Sequence, residues 1–230
     1  MIFNQLFDSK SSTYTYIIAS DKGREALIID PVIENTEEYL KVLKELDLKL
    51  VKVIDTHIHA DHVTGLNELS KRTQCTKIMG EQSKSEVIDL RVKEDEKIEI
   101  DKIQLKVIYT PGHTDCSYSF LMNDRVFTGD TLLINGTGRT DFQSGSAKIQ
   151  YDSLFNKLLK LPEKTMVFPA HDYNGKKFST IKDEKNNNPR LQVNSVDEYV
   201  EIMNNLNLPN PKMMDVAIPA NVKGLTLDRL

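Results

Sequence analysis

Hydrophobic and polar positions follow two rhythms along this chain. Residues 14–19 (Tyr-Thr-Tyr-Ile-Ile-Ala) and 25–30 (Glu-Ala-Leu-Ile-Ile-Asp) are apolar runs of strand length, and Asp21-Lys22-Gly23 between them is a turn. After Pro31 the period lengthens. Tyr39, Leu40, Leu43 and Leu46 recur at helical spacing and predict a helix over 36–46. Residues 50–55 predict an apolar strand, and 64–69 open a second helix. Residues 98–105 and 106–109 alternate as strands and run into Pro111-Gly112-His113. Two short strands, 125–128 and 166–168, lead to Asp130 and His171. The asparagine-rich stretch 182–189 predicts a polar loop.

Strands alternating with helices indicate an α/β fold. Four of the strands end in turns that carry His or Asp, and ligands gather beyond the carboxyl ends of strands in such folds. The expectation is an αβ/βα sandwich, two packed sheets with outer helices. It forms a single domain over 1–230, with a short C-terminal extension from about residue 176.

The chemistry is concentrated in the histidines. There are five in 230 residues. Three lie in Thr56-His57-Ile58-His59-Ala60-Asp61-His62, one in Pro111-Gly112-His113-Thr114 and one in Pro169-Ala170-His171-Asp172. Asp130 follows Gly129 at a strand end. In an extended stretch His57 and His59 project to the same side, and Asp61 and His62 then fall on the turn into the next helix. His and Asp together are the ligand types of zinc, iron and manganese.

Composition narrows the classes. Hydrophobic residues make up 39% and charged residues 28%, ordinary values for a globular protein. A formal net charge of −4 argues against nucleic acid or an anionic membrane as partner. No apolar run approaches the roughly 18 residues of a membrane helix. The start lacks the basic and apolar regions of a signal peptide. Two cysteines, Cys75 and Cys116, fit a reducing cytoplasm. Cys116 reads as a small buried hydrophobe.

The T-H-I-H-A-D-H segment resembles the H-x-H-x-D-H signature of the metallo-β-lactamase superfamily. Pro111-Gly112-His113-Thr114, Thr128-Gly129-Asp130-Thr131 and His171 are its usual companions. Gly136-Thr137-Gly138-Arg139-Thr140-Asp141-Phe142-Gln143, Phe168-Pro169-Ala170-His171-Asp172-Tyr173, Asn188-Pro189-Arg190 and the tail segments N-L-N-L-P and I-P-A-N (205–209 and 218–221) resemble one branch, the persulfide dioxygenases. The resemblance implies an iron-dependent oxidation of glutathione persulfide by O2 to sulfite and glutathione. It implies one Fe(II) per chain on His57, His113 and Asp130, with zinc as the alternative occupant. His59, Asp61, His62 and His171 then surround the ligands. It also implies a homodimer.

Related hydrolases use the same seven positions for two metals: His57, His59 and His113 for one, Asp61, His62 and His171 for the other, with Asp130 bridging. The alternative function is therefore a binuclear glutathione thioesterase of the glyoxalase II type. The tail favours the dioxygenase. Arg139, by its place in the resemblance, is expected near a glutathione carboxylate, against an ion pair with Asp141. Tyr173 is expected to offer its hydroxyl to substrate. Arg190 is expected to be structural. Relatives often have cysteine where this chain has Thr137, so no thiol acts there.

Overall fold

The structure is a computed structural model that describes residues 1–229. The backbone falls into two compact units. Unit 1 comprises residues 1–92, 97–105 and 210–230, and unit 2 comprises 93–96 and 106–209.

Unit 1 is built on a six-stranded sheet in the order β1 (Ile2–Asp8), β2 (Thr13–Ala19), β3 (Glu25–Ile29), β4 (Lys49–Ile54), β5 (Thr76–Gly80), β6 (Leu90–Val92). The first three strands are antiparallel, and β3 to β6 run parallel. Every residue of β2 is buried, as is Ala26–Ile29 within β3. Strands covered on both faces read as continuous apolar runs, which is why 14–19 and 25–30 lack a polar alternation. Helix α1 (Thr36–Glu45) buries Tyr39 and Leu43 on its inner face, and α2 (Leu66–Thr73) buries Leu66 and Leu69. In parallel register Ile29 pairs with Ile54. The residues that follow, Asp30 and Asp55, therefore leave the sheet side by side at its carboxyl edge. The Asp30 amide donates to the Ile54 carbonyl at 2.8 Å, and the Asp55 amide to Ile78.

The second sheet runs β12 (Ser179–Thr180), β11 (Met166–Pro169), β10 (Arg125–Gly129), β9 (Tyr118–Leu121), β8 (Ile103–Tyr109), β7 (Lys97–Ile100). β8 alternates buried and exposed positions from Ile103 to Lys106, a strand with one wet face. The expected strand 98–105 is interrupted. Asp101 takes a left-handed φ of 43° and turns the chain between β7 and β8. Parallel pairing of β10 with β11 shifts register between Phe127 and Gly129. At that bulge Gly129 has φ of 51° and re-aims the following Asp130. α3 (Ala147–Asp152), α4 (Ile181–Asn187) and α5 (Val196–Asn204) pack over a core of Leu132, Leu154, Leu158, Val167, Ile181 and Tyr199.

A further reading from sequence needs revising. The stretch 182–189 is helical for most of its length. Thr180 caps α4 by accepting from the Asp183 amide, acidic residues fill the first turn, and Ile181 buries completely. Its asparagines are the last turn of a helix. The tail also holds α6 (Met214–Lys223), which belongs to unit 1 and packs Ala217 and Ala220 on Ile33 and Val63.

A fully buried hydroxyl ties β2, β3 and α1 together. Thr15 Oγ1 donates to the Asp30 carbonyl at 2.7 Å, and so accepts from the Tyr39 hydroxyl at 2.9 Å. Tyr39 in turn accepts from the Val32 amide at 3.1 Å. Burial pushes the Tyr39 phenol up to about 12. Replacing Tyr39 with Phe strands the Val32 amide, and the expected loss is about 1–3 kcal/mol of unfolding free energy in a urea titration.

Candidate metal centre

Each unit assembles a set of histidines and carboxylates, and in each the hydrogen bonds dictate which ring nitrogen carries the proton. In unit 1 the segment 55–65 has no regular structure and hangs from Asp30. That carboxylate is 1% exposed. It accepts from the Thr56 amide at 2.7 Å, from the Thr56 hydroxyl at 3.0 Å and from His59 Nε2 at 3.1 Å. Because a carboxylate only accepts, His59 is protonated on Nε2 and presents Nδ1 as its basic nitrogen. The Thr56 hydroxyl points its one hydrogen at Asp30, so at 3.0 Å its oxygen accepts from His57 Nδ1. His57 then presents Nε2. His62 Nδ1 lies 2.9 Å from Asp61 Oδ2, donates to it, and presents Nε2. The imidazole centroids of His57 and His59 are 4.2 Å apart, and those of His59 and His62 are 4.4 Å apart. The rings of His57 and His59, expected on one side of an extended stretch, come together in a loop without regular structure.

His59, Asp61 and His62 offer donor atoms that all lie within 4.8 Å of one another. A second group, Asp30, Asp55 and His59, is wholly buried. Burial first, and the Asp30 charge second, push the Asp55 carboxyl well above the usual range. It holds Thr64 through the threonine hydroxyl at 2.9 Å. Asp30 is already engaged with Thr56 and His59, so this group supports the loop from behind.

In unit 2 the carboxyl ends of β8, β10 and β11 deliver His113, Asp130 and His171. His113 Nε2 is 3.5 Å from Asp130 Oδ2, and His171 Nε2 is 3.6 Å from Asp130 Oδ1. His113 Nδ1 lies 2.7 Å from the Arg139 carbonyl. A carbonyl only accepts, so the proton is on Nδ1 and His113 presents Nε2 toward Asp130. Two glycines make this possible. Gly112 has φ of 134°, and a Cβ there would meet the Gln150 backbone at 2.3 Å. A Cβ on Gly138 would lie 2.2 Å from the Asp130 carbonyl and 2.8 Å from His113 Nδ1.

The loop 135–141 is anchored from several sides. Asn188 donates to the Gly136 carbonyl at 2.9 Å, Arg190 donates to the Thr137 carbonyl, and Gln150 donates to the Gly138 carbonyl at 3.1 Å. Arg190 is thus structural, as expected. The Arg139 guanidinium forms a bidentate pair with Asp141, both contacts at 2.6 Å, and donates to the Pro209 carbonyl at 2.7 Å. It also lies over the Phe142 ring at 4.8 Å. The hydrogen bonds from Arg139 hold the Asp141 carboxyl below its ordinary value. Of the two roles weighed for Arg139, the Asp141 pair is the one its side chain makes here. Tyr173 is 73% exposed, with its ring nearly parallel to His171 at a centroid distance of 6.2 Å. Cys116 is buried.

Asp30 and Thr56 were missed as functional residues by the reading from sequence. Their signal was modest: a carboxylate closing an apolar strand before a proline, and a threonine opening the histidine run. The donor set fits a divalent first-row metal. It offers basic imidazole nitrogens beside carboxylates, and His57, His59, His62 and His113 each have the other nitrogen held by an acceptor, the usual support of a metal-bound histidine.

The chain belongs to the metallo-β-lactamase superfamily, whose sequence profile matches residues 9–171. Within it, the persulfide dioxygenase ETHE1, mitochondrial, of Mus musculus is 42% identical over 226 residues, 97% of this chain and 88% of the relative. A crystal structure of ETHE1 from Myxococcus xanthus aligns with a TM-score of 0.94 at 48% identity, covering 96% of this chain and 98% of that one. Identity falls to 30% for a hydroxyacylglutathione hydrolase of Pelagibacter ubique, which covers 95% of this chain and 87% of the relative. The persulfide dioxygenase branch is where this chain sits, and the sandwich expected from sequence is its fold. Among the described residues no helix is long and apolar enough to cross a membrane.

The glycine contacts generate a paired test. Gly138→Ala is expected to displace His113 or Asp130 and to lower bound metal at least tenfold, measured by elemental analysis after dialysis. Gly136→Ala, where a Cβ meets nothing within 4 Å, is expected to retain the wild-type metal content.

Proposed function

We propose that this chain is an iron-dependent dioxygenase that oxidises glutathione persulfide with O2. The chain is read as a single metallo-β-lactamase-type domain over 1–230, in which His57, His113 and Asp130 would hold a single Fe(II). The balanced reaction takes GSSH, O2 and water to glutathione and sulfite with release of two protons. The outer sulfur is oxidised and O2 is reduced. Bound iron supplies the electron transfer that lets singlet persulfide react with triplet oxygen.

The chain's own residues do the positioning. Two histidines and one carboxylate on one side of an ion leave the opposite positions for substrate and oxygen, so the two reactants meet as neighbours. Thr56 and the Arg139 carbonyl fix the tautomers of His57 and His113, so that each offers Nε2. Asp130 completes the set with the one negative charge. Arg139 orders the 139–142 loop through Asp141, and Tyr173, exposed beside His171, offers its hydroxyl to substrate. A cytoplasmic location and a homodimer are part of this reading. The animal relatives are named mitochondrial.

One metal in place of two is supported by the 42% identity to a persulfide dioxygenase over 97% of this chain, and the state of Asp61 bears on it. Its Oδ2 accepts from His62 at 2.9 Å and from Thr13 at 3.2 Å. Asp61 Oδ2 would have to surrender these donors to act as a ligand, whereas His62 keeps its Nδ1–H on the carboxylate and offers Nε2. The second reading, a binuclear thioesterase, is favoured by the close spacing of His59, Asp61 and His62.

Oxygen uptake by Fe(II)-loaded protein, on adding glutathione persulfide against glutathione alone, separates the two. Persulfide-dependent uptake with one iron per chain is the expected result. Iron-loaded protein without uptake, but hydrolysing a glutathione thioester, would move the assignment to the thioesterase. His113→Ala is expected to weaken iron binding by at least 100-fold and remove uptake while leaving the far-UV circular dichroism unchanged. A variant that kept both iron and activity would overturn the ligand set.

A further inference from the structure

The last helix of unit 1 reaches the back of the histidine loop with one side chain. Asn221, in α6, is 5% exposed. Its Oδ1 accepts from the Thr64 amide at 2.9 Å, and its Nδ2 donates to the His59 carbonyl at 2.9 Å and the His62 carbonyl at 3.0 Å. One carboxamide thus satisfies three backbone groups of a six-residue stretch, and both carbonyls belong to residues whose imidazoles are candidate ligands or their neighbours. That stretch lies between β4 and α2 and has no ladder of its own, so its carbonyls depend on an outside donor. A planar amide with two donor hydrogens and an acceptor meets that demand from one position. α6 is held there independently: Ala217 and Ala220 pack on Ile33 and Val63, and Ser85 donates to the Asn221 main-chain carbonyl at 3.2 Å.

We infer that Asn221 is a positioning residue for the metal loop, through which the C-terminal helix sets where the His59 and His62 imidazoles stand. Pinning a residue's carbonyl fixes its backbone and with it the few rotamers its side chain can take. Asn221 touches neither ligand atoms nor substrate. It acts through the loop, in the way that outer partners tune a metal site. The inference rests on the loop's metal-binding reading and not on persulfide chemistry.

Two substitutions and a control test it. Asn221→Asp keeps the shape and the acceptor toward Thr64, but turns an oxygen toward two carbonyls. Asn221→Leu removes all three bonds at similar volume. Ser85→Ala loosens the same helix without touching the carboxamide. Affinity for Zn(II) and for Fe(II) is read by competition with a chromophoric chelator, beside the Tm of the metal-free protein. Both Asn221 variants are expected to bind either metal about 10–100-fold more weakly, while Ser85→Ala lowers Tm and keeps wild-type affinity. A folded Asn221→Asp with wild-type affinity would overturn the inference. So would a Ser85→Ala variant that loses as much affinity at the same loss of Tm. Should neither Asn221 variant fold, hydrogen exchange on the wild-type protein decides: slow exchange of the Thr64 amide is expected, and exchange at the rate of an open loop would sink the idea. Wild-type protein that binds metal but takes up no oxygen fails the dioxygenase reading and leaves this test in force.

Discussion

Asp30 is the group on which the unit 1 ligands depend. It closes β3 in the left-handed conformation, φ of 50°, an arrangement that costs a non-glycine residue energy and that aspartate tolerates better than most. That turn takes the carboxylate off the sheet and under the next loop. There it accepts from Thr56 twice and from His59 once. A buried carboxylate with several donors is stable where an unpaired one would not be. The consequence runs outward. Thr56 points its one hydroxyl hydrogen at Asp30, so its oxygen must accept from His57, and His57 must present Nε2. One charge therefore sets the tautomers of two imidazoles, and it does so before any metal arrives. The parallel pairing of β3 with β4 makes this possible, because it ends both strands at one level.

Unit 2 reaches the same result with neutral groups. The carbonyl of Arg139 fixes the His113 tautomer, and the loop bearing that carbonyl is secured by Gln150 of α3 and by Asn188 and Arg190 just after α4. The Arg139 side chain, pinned to Asp141 and Pro209, keeps its own carbonyl in place. Gly138 then lets the loop pass close against Asp130 and His113, where any side chain would collide. A single residue thus serves the site through its backbone, and its charge serves the loop.

Much of this was legible in the sequence for identifiable reasons. Strands β2, β3, β4 and β8 carry uninterrupted or alternating apolar patterns, and the strand-end turns displayed His57, His113, Asp130 and His171 directly. α4 was not legible, because its helical character comes from the Thr180 cap and the burial of Ile181, while its own composition is polar. The break between β7 and β8 rests on one left-handed aspartate inside an alternating run. Asp30, Thr56 and Asn221 were hidden for a different reason. Their roles are hydrogen bonds to residues 26, 1 and up to 162 positions away, and no periodicity encodes a partner.

The seven ligand-type residues alone do not distinguish one metal from two, since a hydrolase and a dioxygenase can share them. The difference lies in what the residues around them demand. Asp61 meets the N–H of His62 and the hydroxyl of Thr13, and Thr13 in turn meets Ser11 at 2.7 Å. A metal that took Asp61 through Oδ2 would have to displace that chain of donors, while His62 offers Nε2 with its Nδ1–H still on the carboxylate. His57 and His113 require no such exchange, because each already has its proton on the nitrogen that faces Thr56 or Arg139. Binding there removes no hydrogen bond from the imidazoles, and neither does binding at His62 Nε2, whereas the use of Asp61 Oδ2 as a ligand displaces bonds to a carboxylate, worth about 1.5–3 kcal/mol each. Occupancy of the Asp61 end therefore depends on how firmly Thr13 and His62 hold Asp61.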